Sequence, residues 1–164
     1  MLYKDSTVFA SLTGQGKIVA LTDKDNDGKA DEQMTFIDGL NKPHGLDYHD
    51  NWFYIAEETR VIKVRDDDKN GIADLGTLEV LIDDLPTGGH FTRTVKVYNN
   101  SIYLSIGSSC NVCYERDERR AARVKCSLGG SQCDIFAKGL RNSVGFVFHQ
   151  DKIYATENGR ELLG

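Results

Sequence analysis

Three short segments carry the side chains best suited to acid–base and polar chemistry. Gly88 to Thr94 holds His90, Gly139 to Gly145 holds Arg141 and Asn142, and Thr156 to Arg160 holds Glu157 and Asn158. An imidazole titrates near neutral pH and suits a general base. A guanidinium stabilises a negatively charged oxygen as it forms. A single histidine near a turn is more often a structural hydrogen-bonding residue. His90 stands out because the three segments interrupt the apolar pattern at comparable points of an internal repeat, which would bring them toward one axis.

Two further clusters are acidic. Asp23, Asp25 and Asp27 alternate and are followed by Gly28, the first half of a calcium loop, in which alternate oxygens converge on the ion and glycine permits the sharp turn between them. Asp31 falls at the ninth loop position. Asp66, Asp68, Asn70, Gly71 and Asp74 repeat the pattern. Both copies lack an acidic twelfth residue, with Met34 and Thr77 there, so loops 23–32 and 66–74 read as inter-strand loops of modest affinity. A solvated Asp-Asn-Gly turn without an ion accounts for the same residues.

The four cysteines all lie in an insert, 110–133. Tyr114 follows Cys113 where a haem-attachment motif needs histidine, which excludes haem. Cys126 and Cys133 flank a turn containing Gly129 and Gly130, a bridgeable spacing. The expected pairs are Cys126 with Cys133 and Cys110 with Cys113, the alternative being a four-thiolate zinc site. Clustered, even-numbered cysteines imply an oxidising compartment, periplasmic or secreted.

The elements that must position these groups are strands. Leu21 to Asp31 returns as Val64 to Asp74, 43 residues on, and one four-stranded propeller blade takes about 40–50 residues. Phe36 to Leu40, Leu81 to Leu85 and Phe136 to Leu140 mark the same rhythm. Alternating hairpins follow each, with turns at His49 to Asn51, Asn99 to Ser101 and His149 to Asp151. No apolar stripe holds a 3.6-residue period, so the chain is all-β, and helix is confined to a turn or two, placed at Tyr114 to Arg123. Within that stretch the alternating charges of Glu115 to Arg120 read as a solvated loop.

The composition agrees. Of 164 residues 40% are hydrophobic, with 16 Gly and only 2 Pro, as expected of many strands joined by tight turns. Nine acids in the two Asp-rich loops account for the net charge of −5, and the remainder is net positive. This disfavours a nucleic-acid partner and favours cation binding. No apolar run of 18 residues marks a membrane span, and Met1 to Ala10 lacks the basic start and apolar stretch of a signal peptide. With the abrupt end at Gly164, the expectation for 1–164 is a partial domain of about three blades, leaving apolar faces uncovered and unstable alone.

Together, Gly89 to Thr94, Gly107 to Cys113, Gly139 to Asn142 and Thr156 to Arg160, in this order, resemble the pyrroloquinoline quinone (PQQ)-dependent sugar dehydrogenases, the soluble glucose and sorbosone dehydrogenase family of six-bladed β-propellers. The resemblance is nearest the sorbosone or aldose branch. It implies oxidation of a small-molecule sugar at C1, with PQQ and calcium as cofactors, and it leaves the electron acceptor open. His90 would be the general base, removing the C1 hydroxyl proton as hydride passes to the quinone. Arg141 and Asn142 would contact the quinone carbonyls, Arg141 also taking part in catalysis. The backbone carbonyls of Gly159 and Arg160 would hold the calcium. Two departures bear on sugar preference and on the orientation of His90: Val144 stands where the glucose dehydrogenases often have Gln, and Ser108 where they have Asp. A non-catalytic extracellular calcium-binding propeller module explains the repeat, the Asp loops and the cysteines, but not the Arg141-Asn142 and Glu157 to Arg160 segments. A metal-dependent lactonase would need more channel-facing ligands than Glu157 and Asn158.

Overall fold

The structure is a computed structural model that describes residues 1–160. It forms three four-stranded antiparallel sheets and a two-stranded hairpin, each strand pairing with the next in the chain. The first sheet holds β1 (Leu2–Lys4), β2 (Thr7–Leu12), β3 (Lys17–Thr22) and β4 (Glu32–Ile37); the second holds β5 (Gly45–His49), β6 (Trp52–Ala56), β7 (Val61–Arg65) and β8 (Asp74–Ile82). The third holds β9 (Arg93–Tyr98), β10 (Ser101–Ile106), β11 (Ala122–Ser127) and β12 (Cys133–Lys138); β13 (Phe146–His149) and β14 (Lys152–Ala155) make the hairpin. The arrangement is β-propeller-like. No described helix is long and apolar enough to cross a membrane.

Local sequence accounts for the strands. β6 and β10 read as nearly continuous apolar runs and are buried on both faces. This is the pattern of a strand covered from two sides. The last strands are the more open ones, with four of nine residues exposed in β8 and four of six in β12. The first two strands of each sheet are joined by a two-residue turn with positive φ at both positions: Asp5 and Ser6, Asp50 and Asn51, Asn99 and Asn100, Gln150 and Asp151. Double positive φ defines the type I′ turn, whose twist matches that of the flanking strands. The sequence pattern had marked the last three turns; the first, at Asp5-Ser6, adds a hairpin to the first sheet.

The core lies between sheets. Phe9, Phe36 and Phe53 meet with ring centroids 4.5–5.1 Å apart between the first and second sheets, in a cluster with Ile18, Ile55 and Ile62. Burying one such ring stabilises by about 1.5–3 kcal/mol. Ala56, Val61, Val95, Leu104 and Ile106 fill the second interface. The first strands neighbour one another, β5 lying against β1 and β9, and β9 against β13. Loops entering first strands and leaving second strands therefore gather on one edge of the assembly.

One expectation is corrected. Tyr114 to Ala121 forms bends and a turn, and Ala122 and Arg123 already belong to β11. The one helical turn among the described residues is a 3-10 turn at Thr13–Gln15. Arg120 is pulled inward by backbone carbonyls, and this holds the insert in an irregular path.

Candidate functional site

Four loops build the site. Residues 86–92 enter β9, 107–110 leave β10, 139–145 enter β13 and 156–160 leave β14. His90 donates its backbone N–H to the Ser108 carbonyl at 2.9 Å. Its ring Nδ1 lies 3.0 Å from the same carbonyl and 3.1 Å from Ser108 Oγ. The Ser108 hydroxyl donates to the Cys110 carbonyl at 2.6 Å. With that proton committed, both oxygens facing Nδ1 are acceptors, an arrangement that matches a hydrogen on Nδ1 and leaves Nε2 as the other ring nitrogen. Among the described residues nothing bonds Nε2. Ser108, the departure from the sugar dehydrogenase pattern, thus still fixes the ring.

The loops meet this closely because Gly107 has no side chain. A Cβ there would stand 2.5 Å from His90 Cβ, 2.8 Å from the His90 carbonyl oxygen and 2.9 Å from Asn142 Oδ1. His90 and Asn142 are therefore neighbours across Gly107.

Arg141 and Asn142 join the same network. The Arg141 carbonyl accepts Ser108 N–H at 2.8 Å, and Thr92 Oγ1 donates to Asn142 Oδ1 at 3.0 Å. Asn142 N–H donates to Glu157 Oε1 at 3.0 Å, and Asn158 N–H to the Asn142 carbonyl at 3.2 Å. The Asn142 oxygen is thus occupied, and its amide N–H pair remains available to an acceptor. Arg141 Nη1 reaches the Asn158 carbonyl at 3.3 Å, while its Nε is buried without a partner. A cavity of about 350 Å³ opens here, lined by Ser108, Cys110, Arg141, Glu157, Gly159 and Arg160 among others. His90 lies behind its wall, one hydrogen bond away through Ser108.

Beneath the loops lie charges that the sequence pattern did not reveal. Arg123 is buried, donates to Ser143 Oγ at 2.8 Å and packs over the Phe146 ring. Burial lowers its pKa, with the charge of Glu157 opposing. Arg93 is fully buried and is lowered to about 10 by burial, then by the nearby Arg120 charge, with Glu58 opposing. Glu57 and Glu58 are also buried. One available signal was missed: Glu57-Glu58-Thr59-Arg60 recurs as Glu157-Asn158-Gly159-Arg160, each just after the second strand of its sheet. The first copy is closed on itself, Arg60 Nε donating to Glu57 Oε1 at 2.7 Å and Glu57 N–H to the Arg60 carbonyl. Among the described residues no such bond joins Glu157 and Arg160, and the second copy opens toward the cavity.

The charged run Glu115 to Arg120 is a solvated loop only in part. Arg116 and Glu118 are exposed, but Glu115 Oε1 accepts Ser109 N–H at 2.8 Å, and Arg120 is buried.

The cysteines pair as Cys110 with Cys113 and Cys126 with Cys133. The second pair ties β11 to β12, and the first closes the loop that carries the Ser108 contact. Both Asp-rich loops join the third strand of a sheet to its fourth, on the outer hairpins, apart from the His90 network. They share a hydrogen-bond pattern. Gly28 N–H donates to Asp23 and Gly71 N–H to Asp66; Lys24 N–H donates to Asp31 and Asp67 N–H to Asp74. Carboxylates of Asp23, Asp25 and Asp27 converge, as do those of Asp66, Asp68 and Asp74. Asn70 bridges within the second loop through Asp68, and Asp31 stands outside the first convergent group.

Among solved structures the fold is similar to the holo form of the pyranose dehydrogenase PQQ domain from Coprinopsis cinerea, with a TM-score of 0.81 and 21% identity over 94% of this chain and 41% of that one. It is also similar to the calcium structure of a Trichoderma reesei carbohydrate-active enzyme of family AA12, with a TM-score of 0.78 and 20% identity over 94% and 45% of the two chains. At these identities the likeness is one of fold. An uncharacterized protein of Borreliella burgdorferi is 34% identical over 143 residues, 79% of this chain and 38% of that protein. The chain thus spans less than half the length of each of these three proteins. Residues 3–163 match the family described as a domain of unknown function, DUF7133. The chain belongs to the DUF7133 family.

Proposed function

We propose that this chain contributes about three blades, and the base-bearing part of the active site, to a six-bladed PQQ-dependent dehydrogenase that oxidises an aldose or sorbosone at C1. One observation carries the reading: the His90 imidazole is held through Nδ1 by Ser108, which lines a cavity together with Arg141, a guanidinium with an orphaned Nε. The fold likeness to the pyranose dehydrogenase PQQ domain and to the family AA12 enzyme supports it.

PQQ, when bound, supplies the hydride acceptor, with calcium polarising its quinone. The residues present fit such a group, since a polycarboxylate with quinone oxygens needs donors and positive charge. Arg141 offers an unpartnered buried N–H and Asn142 a free amide N–H pair. Gly159 and Arg160 line the cavity, and their backbone carbonyls would offer hard oxygen ligands to calcium. His90 Nε2 takes the proton of the C1 hydroxyl, and the Ser108 oxygens stabilise the resulting imidazolium through Nδ1. The Asp23 to Asp31 and Asp66 to Asp74 loops are proposed as separate structural calcium sites. The two disulfides fit a periplasmic or secreted protein.

The test uses the full-length protein freed of cofactor, then supplied with PQQ and calcium, with dye reduction followed on aldoses and on sorbosone. Activity that requires PQQ and falls at least 10²-fold in His90→Ala is expected. Calcium binding without PQQ binding or activity would sink the dehydrogenase reading in favour of a non-catalytic calcium-binding recognition module.

A further inference from the structure

The loop that carries His90 is tied down by buried charge to a degree that its own sequence does not require. Arg93 is 0% exposed, yet none of its described hydrogen bonds goes to a carboxylate. Its Nη1 donates to the His90 and Thr92 carbonyls at 2.9 and 3.0 Å, and its Nη2 to the Pro86 carbonyl. Arg120, 8% exposed, donates through Nη1 to the Gly88 carbonyl at 3.1 Å and the Gly107 carbonyl at 3.5 Å, and through Nη2 to the Thr87 carbonyl. Two guanidiniums thus gather five carbonyls of residues 86–92 and one of the facing loop. Glu58, 4% exposed, accepts the Gly88 N–H at 2.9 Å and is held in turn by Lys42 Nζ at 2.6 Å.

Burying two cations side by side is unfavourable on its own account, and apolar side chains of similar volume commonly do as well or better for stability. The rigid, five-donor fork of arginine does what no apolar residue can, fixing several carbonyls at once. An imidazole intended to act as a base must keep its orientation to within a fraction of an ångström.

We infer that Arg93, Arg120 and Glu58 are positioning residues that lock the 86–92 loop and so preset His90 against Ser108. The effect on catalysis rests on the dehydrogenase reading; the locking of the loop does not.

The experiment compares full-length wild type with Arg120→Lys, Arg93→Met and Glu58→Gln by two readouts. The first is hydrogen exchange of the peptide spanning 86–93, with the peptide spanning 101–106 as an internal control. Exchange in 86–93 should rise at least 10-fold in the variants while 101–106 stays protected. The second is steady-state kinetics with PQQ and calcium, where kcat should fall about 10- to 100-fold with the sugar KM within twofold of wild type. Arg120→Lys, which keeps the charge but loses the fork, should lose the least and serves if Arg93→Met does not fold. Unchanged exchange in 86–93 overturns the lock, and a loosened loop with full kcat overturns the positioning role. If wild type shows no PQQ-dependent activity while the variants loosen the loop, the lock stands and the dehydrogenase reading fails.

Discussion

Replacing Gly107 by alanine tests the site at its tightest point. The added methyl would sit 2.5 Å from His90 Cβ, 2.8 Å from the His90 carbonyl and 2.9 Å from Asn142 Oδ1. Ordinary contact for such pairs is about 3.5–4 Å, so the loops must part by roughly 1 Å. The His90 carbonyl cannot retreat freely, because Arg93 holds it at 2.9 Å. The opening therefore falls on the bonds from His90 N–H and Nδ1 to Ser108, now 2.9 and 3.0 Å, and on the Thr92 to Asn142 bond at 3.0 Å. Lengthened to about 4 Å these are no longer hydrogen bonds. Overpacking of this kind costs about 1–3 kcal/mol of stability, and, on the proposed role of His90, a 1 Å misplacement costs about 10²-fold in rate. The assay pairs chemical denaturation with dye reduction, both on the full-length protein with PQQ and calcium. A Gly107→Ala protein with wild-type stability and a rate within threefold of wild type would refute the reasoning, because it would show that the two loops do not need their close approach.

Two further outcomes are expected. Burial works against ionisation of Glu58, but Lys42 and the Gly88 N–H outweigh it and hold its pKa below the ordinary glutamate value. Its stabilisation is therefore present above the ordinary glutamate range and is lost as pH falls through the lower folded value. Denaturation curves collected from pH 6 down to pH 3 should show a steeper acid decline for wild type than for Glu58→Gln, and parallel curves would refute the assignment. Replacing both Cys126 and Cys133 by serine opens the β11–β12 tie, with a sequence separation of 7, and for so short a loop should cost about 2–3 kcal/mol. A melting temperature unchanged from wild type under oxidising conditions would count against it.

The strands and their turns were legible in the sequence because they rest on local rules. Period-two alternation, apolar runs such as Trp52 to Ala56, and Asn or Asp at positive-φ turn positions mark them before any packing is known. The repeat of the Asp-rich loops likewise placed both between strands. The first hairpin, at Asp5-Ser6, escaped because β1 is only three residues long and offers little pattern.

The site was legible as four segments but not as one network. Its bonds join residues far apart in the chain, Thr92 to Asn142 and Asn142 to Glu157 among them. The alternating charges of Glu115 to Arg120 describe a solvated loop equally well. Only the approach of the Thr87 and Gly88 carbonyls turns Arg120 inward while Arg116 stays in water. Ser108 looked like the loss of an acidic partner for His90, and its carbonyl and hydroxyl serve as that partner once Gly107 lets the loops touch. The sequence by itself determined the all-β character, the repeat and the residue types available for chemistry, because these depend on neighbours along the chain. The tertiary structure decided which of those polar groups are buried and which nitrogen of His90 faces Ser108, because burial and hydrogen-bond partners depend on neighbours in space.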